Sequence, residues 1–294
     1  MAEVVVVGSI NVDLSIGVPH ALRRGETLLG SDLTRSGGGK GANQAVACAR
    51  LGRSTAMVGA VGDDAEGGWM IDLLAAEGVD TRGIRRLPVS TGQAIILVEP
   101  DGESTIVVSP GANAGLSPRD LDAVRDSIAS ARCVLVQQEI AATVVEHAAT
   151  LTTGLFVLNP APARPVSAGL LARVDVLVPN RYELAGLCQT SPSDDLDAVA
   201  GMARALKGPG CIVVTLGGEG ALVVQGDTVV HVPPVQVQPI DTTAAGDTFC
   251  AALVDALLDG SDMVEAAQWA CRVAAMTVGR RGAMDSIPRR ADVR

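Results

Sequence analysis

The residues best suited to chemistry lie in Asp241-Thr242-Thr243-Ala244-Ala245-Gly246-Asp247-Thr248-Phe249, a small-residue turn leading into a helical pattern. Phe249, Leu253, Ala256 and Leu257 recur at helical spacing. Because Ala244, Ala245 and Gly246 carry no bulky side chains, backbone N–H groups can close around an anion at the start of the helix. Asp247 then falls in the first helical turn. The helix dipole favours a carboxylate there, and such a group is better suited to accept a proton than to ligate a phosphate. Taken alone, the segment is equally an ordinary capped helix after an alanine-rich turn. The rest of the chain decides between the two.

Gly37-Gly38-Gly39-Lys40-Gly41-Ala42-Asn43-Gln44 is the second feature. It is not a Walker A loop, which needs Ser or Thr directly after Gly-Lys, where this chain has Gly41. Gly37-x-Gly39-x-x-Ala42, with Asp63 and Asp64 about twenty residues on, imitates a dinucleotide fingerprint. That reading also fails, since the residues before the glycines, 32–36, are not a buried apolar strand. What remains is a glycine run that lets a ligand approach the backbone, with Lys40 and Asn43 as polar fingers at a helix start. Such a combination suits a polyhydroxylated molecule.

Asn11 and Asp13 lie two apart after the first apolar run, on one side of an extended chain, where an amide and a carboxylate can serve vicinal hydroxyls. By itself this pair also fits a solvated turn. Glu139 follows an apolar strand pattern, at the carboxyl edge where open α/β sheets bind ligands. Residues 215–220 make a glycine-rich turn between apolar strands, in isolation a plain hairpin. Asn180 and Glu183 sit where a strand gives way to a helix, and they are a reciprocal cap as readily as they are ligands.

The elements that must position these groups read as alternating β and α units around a parallel sheet. Strand patterns cover 4–7, 133–136, 155–158, 174–178, 212–215 and 221–224, and helical patterns cover 42–51, 66–77, 118–130, 141–151, 194–207, 247–258 and 262–278. Ser117-Pro118-Arg119-Asp120 supplies an N-cap, a first-turn proline and an acid. Residues 12–36 and 91–109 alternate apolar and polar side chains, with Asp101-Gly102 as a hairpin turn, and predict a small antiparallel sheet outside the main one. That sheet is suited to be a lid, a dimer surface or both, or simply an edge hairpin. No linker or internal repeat divides the chain.

The 294 residues carry 23 Lys and Arg against 33 Asp and Glu, a net charge of −10 with no basic run, which argues against a nucleic-acid partner. Six scattered cysteines without a CxxC pair indicate a reduced, cytoplasmic protein, and three distant histidines offer no zinc spacing. The first apolar run is too short for a signal peptide or a membrane span, so no membrane is expected. Aromatics are 2% of residues, leaving little to stack on a nucleoside base.

In their order and spacing, residues 8–13, 38–44, 159–163, Pro179-Asn180 with Glu183, 215–220 and 241–249 resemble the ribokinase branch of the PfkB carbohydrate-kinase family over essentially the whole chain. The resemblance implies a single doubly wound α/β domain over 1–294, mainly parallel and flanked by helices, with a β lid from about 12–36 and 91–109. It further implies ATP with Mg2+, and D-ribose phosphorylated at its 5-hydroxyl, with deoxyribose, another sugar or a nucleoside as competing acceptors. By motif, Asp247 is the base, and the backbone at Ala245 and Gly246 is the anion hole. Asn11, Asp13, Gly39, Lys40, Gly41, Asn43, Glu139 and Asp247 match sugar-binding positions. Asn180, Glu183, Thr215, Gly217, Gly218, Gly220, Gly246 and Cys271 match the nucleotide side. Asp241, Thr243, Thr277, Arg280, Gly282 and Ser286 match a K+ site built mostly from backbone carbonyls, and a homodimer through the lid is expected.

There are departures from the family pattern. Residues 19–26 replace the usual Pro-x-Pro-Gly-Glu of the lid, the last helix is short, and Cys271 stands at an adenine-wall position where other residues are common. A binding protein without turnover would have lost the base or the anion-hole glycine, and this chain retains both Asp247 and Gly246.

Overall fold

Val4–Val7, strand β1, is four valines without exposed surface. Val4 and Val6 pack into one apolar core and Val5 and Val7 into another, the period-two alternation of a strand covered on both faces. In the computed structural model, which describes residues 2–100 and 104–293, the chain continues through β2 (Asn11–Gly17), β3 (Thr34–Gly38), α1 (Lys40–Arg50), β4 (Thr55–Gly62), α2 (Ala65–Ala76), β5 (Asp80–Leu87), β6 (Gly92–Val98) and β7 (Ser104–Ser109). Next come α3 (Pro118–Asp122), α4 (Arg125–Ser130), β8 (Cys133–Gln137), α5 (Ala142–Leu151), β9 (Leu155–Asn159), α6 (Ala168–Leu171), β10 (Val176–Leu177) and α7 (Arg181–Leu187). The chain closes with α8 (Leu196–Ala205), β11 (Cys211–Thr215), β12 (Ala221–Gln225), β13 (Thr228–Val232), α9 (Ala245–Leu258) and α10 (Met263–Val278).

The main sheet has nine strands in the order β13-β12-β11-β10-β9-β8-β1-β4-β5. All its pairs are parallel except β11–β12 and β12–β13. The chain lays down β1, β4 and β5 in one direction, then returns to β8 and builds the other way. The switch point therefore falls between β1 and β8, and in an open α/β sheet that crevice receives the ligand. Helices α1, α2, α9 and α10 cover one face and α3 to α8 the other.

The second sheet has the order β3-β2-β6-β7. Its β2–β3 and β6–β7 pairs are the expected antiparallel ones, and β2 joins β6 in parallel. The Asp101-Gly102 turn lies outside the described residues.

Some boundaries differ from the sequence patterns. The helix over 118–130 is broken at Val124, whose φ of −122° and ψ of 21° leave helical geometry, so that Leu121 and Ile128 are buried from two short helices. The strand over 174–178 keeps ladder pairing only at Val176–Leu177. Strands β4, β5 and β13 were not anticipated. β4 is rich in Gly and Ala, and β5 is an edge strand studded with arginines, the charge that protects such an edge. Among the described residues, no helix is long and apolar enough to cross a membrane.

Candidate active site

Asn11 and Asp13 lie on β2 immediately past the end of β1, both buried. A residue the motifs did not single out holds the first of them. Asn113 accepts from the Ile10 N–H at 2.9 Å and donates to Ile10 O at 3.1 Å and to Asn11 Oδ1 at 2.7 Å. Gly39 turns the chain from β3 into α1 with φ +88°, where a side chain would strike the Asn11 nitrogen and the Ser9 carbonyl.

Lys40 and Gly41 open α1, and Glu139, just beyond β8, caps that opening. Its Oε2 accepts from Ser9 Oγ at 2.5 Å and from the Lys40 N–H at 3.1 Å, while the Gly41 N–H donates to Ser9 Oγ at 3.3 Å. One carboxylate thereby ties together the tips of β1 and β8 and the first turn of α1, at the switch point.

Asp247 stands in the first turn of α9, buried, with Oδ2 accepting from Asn43 Nδ2 and Oδ1 from Gln44 Nε2, each at 3.0 Å. Burial raises its carboxyl pKa above the ordinary range; the Lys40 ammonium and the two amide donors oppose the rise, and Glu139 adds to it. Lys40 is itself held above its usual value, chiefly by Asp247, against its own burial. Asp13 is pushed up to about 7 by burial and then by the charges of Glu139 and Asp247. Among the described residues Asn43 Oδ1 is buried without a hydrogen-bond partner, an acceptor suited to a ligand hydroxyl.

Ahead of Asp247, Ala244 adopts the left-handed region at φ +61°, turning the chain so that α9 begins at Ala245 and Gly246. First-turn N–H groups have no partner within their own helix, so this end is an anion cradle. A cavity of about 230 Å³ opens against it, lined by Lys40, Asn180, Glu183, Gly246, Asp247 and Cys250 among others. Through Thr215, Thr242 and Gly246 it meets a cleft of about 410 Å³ whose walls include Val235, Val237, Phe249, Cys271 and Ala275. Gly217, Gly218 and Gly220 line that cleft from the β11–β12 turn, which forms a short 3-10 helix at Gly217–Glu219. An apolar slot thus leads to a polar throat ending at a buried carboxylate. A third cavity, of about 420 Å³, lies at the opposite end of β4 and β5 and shares no lining residue with the other two.

Asn180 and Glu183 are the reciprocal cap of α7, at 2.8 Å in both directions, and still line the throat. Of the six positions matched to a cation site, Asp241 and Thr243 precede α9, whereas Thr277, Arg280, Gly282 and Ser286 lie at or after the end of α10. Asp241 accepts from the Thr243 N–H and hydroxyl and from the Gly282 N–H, joining the turn before α9 to the segment after α10. The Arg280 N–H bonds Thr277 O, the Ser286 hydroxyl donates to Ala283 O, and the Arg280 side chain pairs instead with Asp292. Burial works against ionisation of Asp241, but these hydrogen bonds outweigh it and lower its pKa. The structure brings the residues matched to the sugar and to the nucleotide to this edge. It adds Ser9, Gln44, Asn113, Gln137 and Asn159, of which only Ser9, Gln44 and Asn159 stood in recognised motifs.

Over residues 1–290 the sequence matches the pfkB family of carbohydrate kinases. The chain belongs to that family. A pfkB kinase is a phosphotransferase acting on a sugar hydroxyl. Among its relatives, a ribokinase of Haemophilus influenzae is 40% identical over 98% of this chain and 95% of that protein. The crystal structure of a Thermotoga maritima ribokinase superposes with a TM-score of 0.92 at 32% identity, covering 100% of this pfkB chain and 98% of the other. That of an Arabidopsis thaliana ribokinase complexed with ribose and ATP superposes with a TM-score of 0.90 at 30% identity, covering 99% and 97%.

Proposed function

We propose that this kinase transfers the γ-phosphoryl group of ATP to the 5-hydroxyl of D-ribose, giving ribose 5-phosphate and ADP. The observation that carries the reading is Asp247, buried at the start of α9 where the apolar cleft and throat end beside the Asn11, Asp13 and Glu139 cluster. The full-length likeness to ribokinases supports ribose as the acceptor.

In this reading adenine occupies the slot beside Cys271, and the triphosphate runs over the glycines of the β11–β12 turn into the throat. Asn11 and Asp13 take the sugar's ring hydroxyls, helped by Gly39, Lys40, Gly41, Asn43 and Glu139. Asp247 accepts the proton of the 5-hydroxyl as that oxygen attacks the γ-phosphorus and the bond to the β-phosphate oxygen breaks. The N–H groups at Ala245 and Gly246, with the Lys40 ammonium, stabilise the charge that develops on the transferring group. The oxygen ligands of Asn180 and Glu183 fit a hydrated Mg2+, which supplies charge neutralisation on the phosphates.

The oxygens these positions can offer, the Asp241 carboxylate, the Thr243, Thr277 and Ser286 hydroxyls and the backbone carbonyls, are of the type that fits a hard monovalent cation such as K+. Asp241, Thr243, Thr277, Arg280, Gly282 and Ser286 would hold it, and its charge would order the turn that forms the anion hole. The second sheet serves as lid of a single domain. The lid face that carries Asp13 also carries the exposed Ile106 and Val108, which supports a homodimer through the lid. The described cysteines are all free, in keeping with a cytoplasmic setting.

The test is ADP release with Mg-ATP against D-ribose, 2-deoxyribose, fructose, adenosine and inosine, with and without K+. Strong K+-stimulated turnover on ribose is expected, and turnover confined to another acceptor overturns the substrate. Asp247→Asn is expected to keep sugar binding and lose about 10³-fold or more in turnover. Near-normal turnover in that variant removes Asp247 as the base.

A further inference from the structure

Under Asp247 lies a chain of buried amides that the reaction as described does not use. Asn159 donates through Nδ2 to the Val178 carbonyl at 2.8 Å. A backbone carbonyl only accepts, so the orientation of Asn159 is set and its Oδ1 must accept in turn. It does so from Gln44 Nε2 at 3.2 Å. The same Nε2 gives its other hydrogen to Asp247 Oδ1 at 3.0 Å, while Gln44 Oε1 accepts from Gln137 Nε2 at 2.5 Å. Gln44 and Gln137 are fully buried, so water cannot substitute for any of these partners. The polarity of the chain begins at a main-chain carbonyl and ends with a donor aimed at the carboxylate.

We infer that Gln44 is a positioning residue for the base: it commits Asp247 Oδ1 as an acceptor, thereby favouring the ionised carboxylate, and leaves Oδ2 beside Asn43 to receive the substrate's proton. This rests on Asp247 being the base. The groups that face Asp247 are Lys40, Asn43 and Gln44 from α1, Asp13 from β2, Glu139 after β8, Glu183 from α7 and Cys250 from α9. Of these charged groups only Lys40 favours ionisation, and the negative ones oppose it. The amide donors of Asn43 and Gln44 are therefore what work with Lys40 against burial.

The deciding experiment is the pH profile of kcat at saturating sugar and ATP, where the bound sugar hydroxyls already hold Asp13 ionised, in the wild type and in Gln44→Met, a substitution of similar length that removes the donor. The acid limb is expected to move up by about one pH unit, a roughly tenfold loss on the acid side of the limb that recovers at alkaline pH, with KM for ATP unchanged. An unmoved limb overturns the inference, whether the rate falls uniformly or stays the same. A downward shift also overturns it, because losing a hydrogen-bond donor to the Asp247 carboxylate can only raise the pKa of that group. Should Gln44→Met fail to fold, Gln137→Met, which frees the Gln44 amide to rotate without touching Asp247, is expected to move the limb the same way by less and decides on the same criteria. Asp247→Asn run alongside separates the two failures: activity there defeats the base assignment, whereas its silence with an unmoved limb defeats only the role of Gln44.

Discussion

Asp13 is held in a state that opposes folding. In the unfolded chain its carboxyl titrates near 3.8, and in the native site burial, Glu139 and Asp247 push it up to about 7. A carboxyl raised on folding favours the native state fully below its unfolded value, and that contribution is lost as pH rises through the folded value. For Asp13 the loss spans pH 4 to 7 and amounts to a few kcal/mol, on the order of 1.4 per unit. Ligand-free Asp13→Asn is therefore expected to gain several degrees more in Tm at pH 8 than at pH 4 by scanning calorimetry; equal gains at both would show that Asp13 is not strained. Sugar hydroxyls donate to the ionised form, so ribose should bind more tightly as pH rises through about 7. Asp13 was legible in the sequence because it stands two from Asn11 at the end of a valine run. Asn113 was not, because it is an asparagine among glycine and alanine, and its partner Ile10 is 103 residues away.

At the scale of elements, the start of α9 is where stability and function pull apart. A Cβ added at Gly246 meets nothing within 4 Å, and the position is helical, where alanine is favoured over glycine by about 0.5–1 kcal/mol. The same open space lines both the throat and the apolar cleft. Gly246→Ala is thus expected to match or exceed the wild type in Tm while losing about tenfold or more in kcat, from crowding of the transferring phosphoryl group. A less stable variant with normal kcat would contradict the assignment of that space. Helices with capping residues, such as those opened by Ser117 and Asn180, were readable because caps and apolar periodicity are local signals. β4 and β5 were not, since Gly-Ala and Arg-rich strands owe their pairing to neighbours elsewhere in the sheet, here β1 and β4. The break at Val124 likewise follows from packing on both sides of it rather than from any glycine or proline.

For the whole molecule, a homodimer formed through the second sheet, as proposed, would couple assembly to substrate. Asp13, Ala94 and Val108 share one row, and the row two residues farther along the same face joins Ser15, Ile96 and Ile106. Ile106 and Val108 are 54% and 49% exposed. Ile106→Lys is expected to turn a dimer into a monomer in light scattering and to weaken sugar binding several-fold, and an unchanged mass would exclude this face as the interface. The cleft toward the nucleotide is assembled differently from the sugar cluster. Every residue that lines the 410 Å³ cleft falls between Thr215 and Val278, whereas the sugar cluster draws on β2, α1, the 113 turn, the β8 tip and α9. In genetic terms the proposed donor cleft is a cassette: a single exchanged DNA fragment spanning 215–278 carries every wall of that cleft and Asp247 with it, while Asn180 and Glu183 of the throat stay behind. The acceptor half has no such boundaries, and changing it requires point-by-point selection across the rest of the gene.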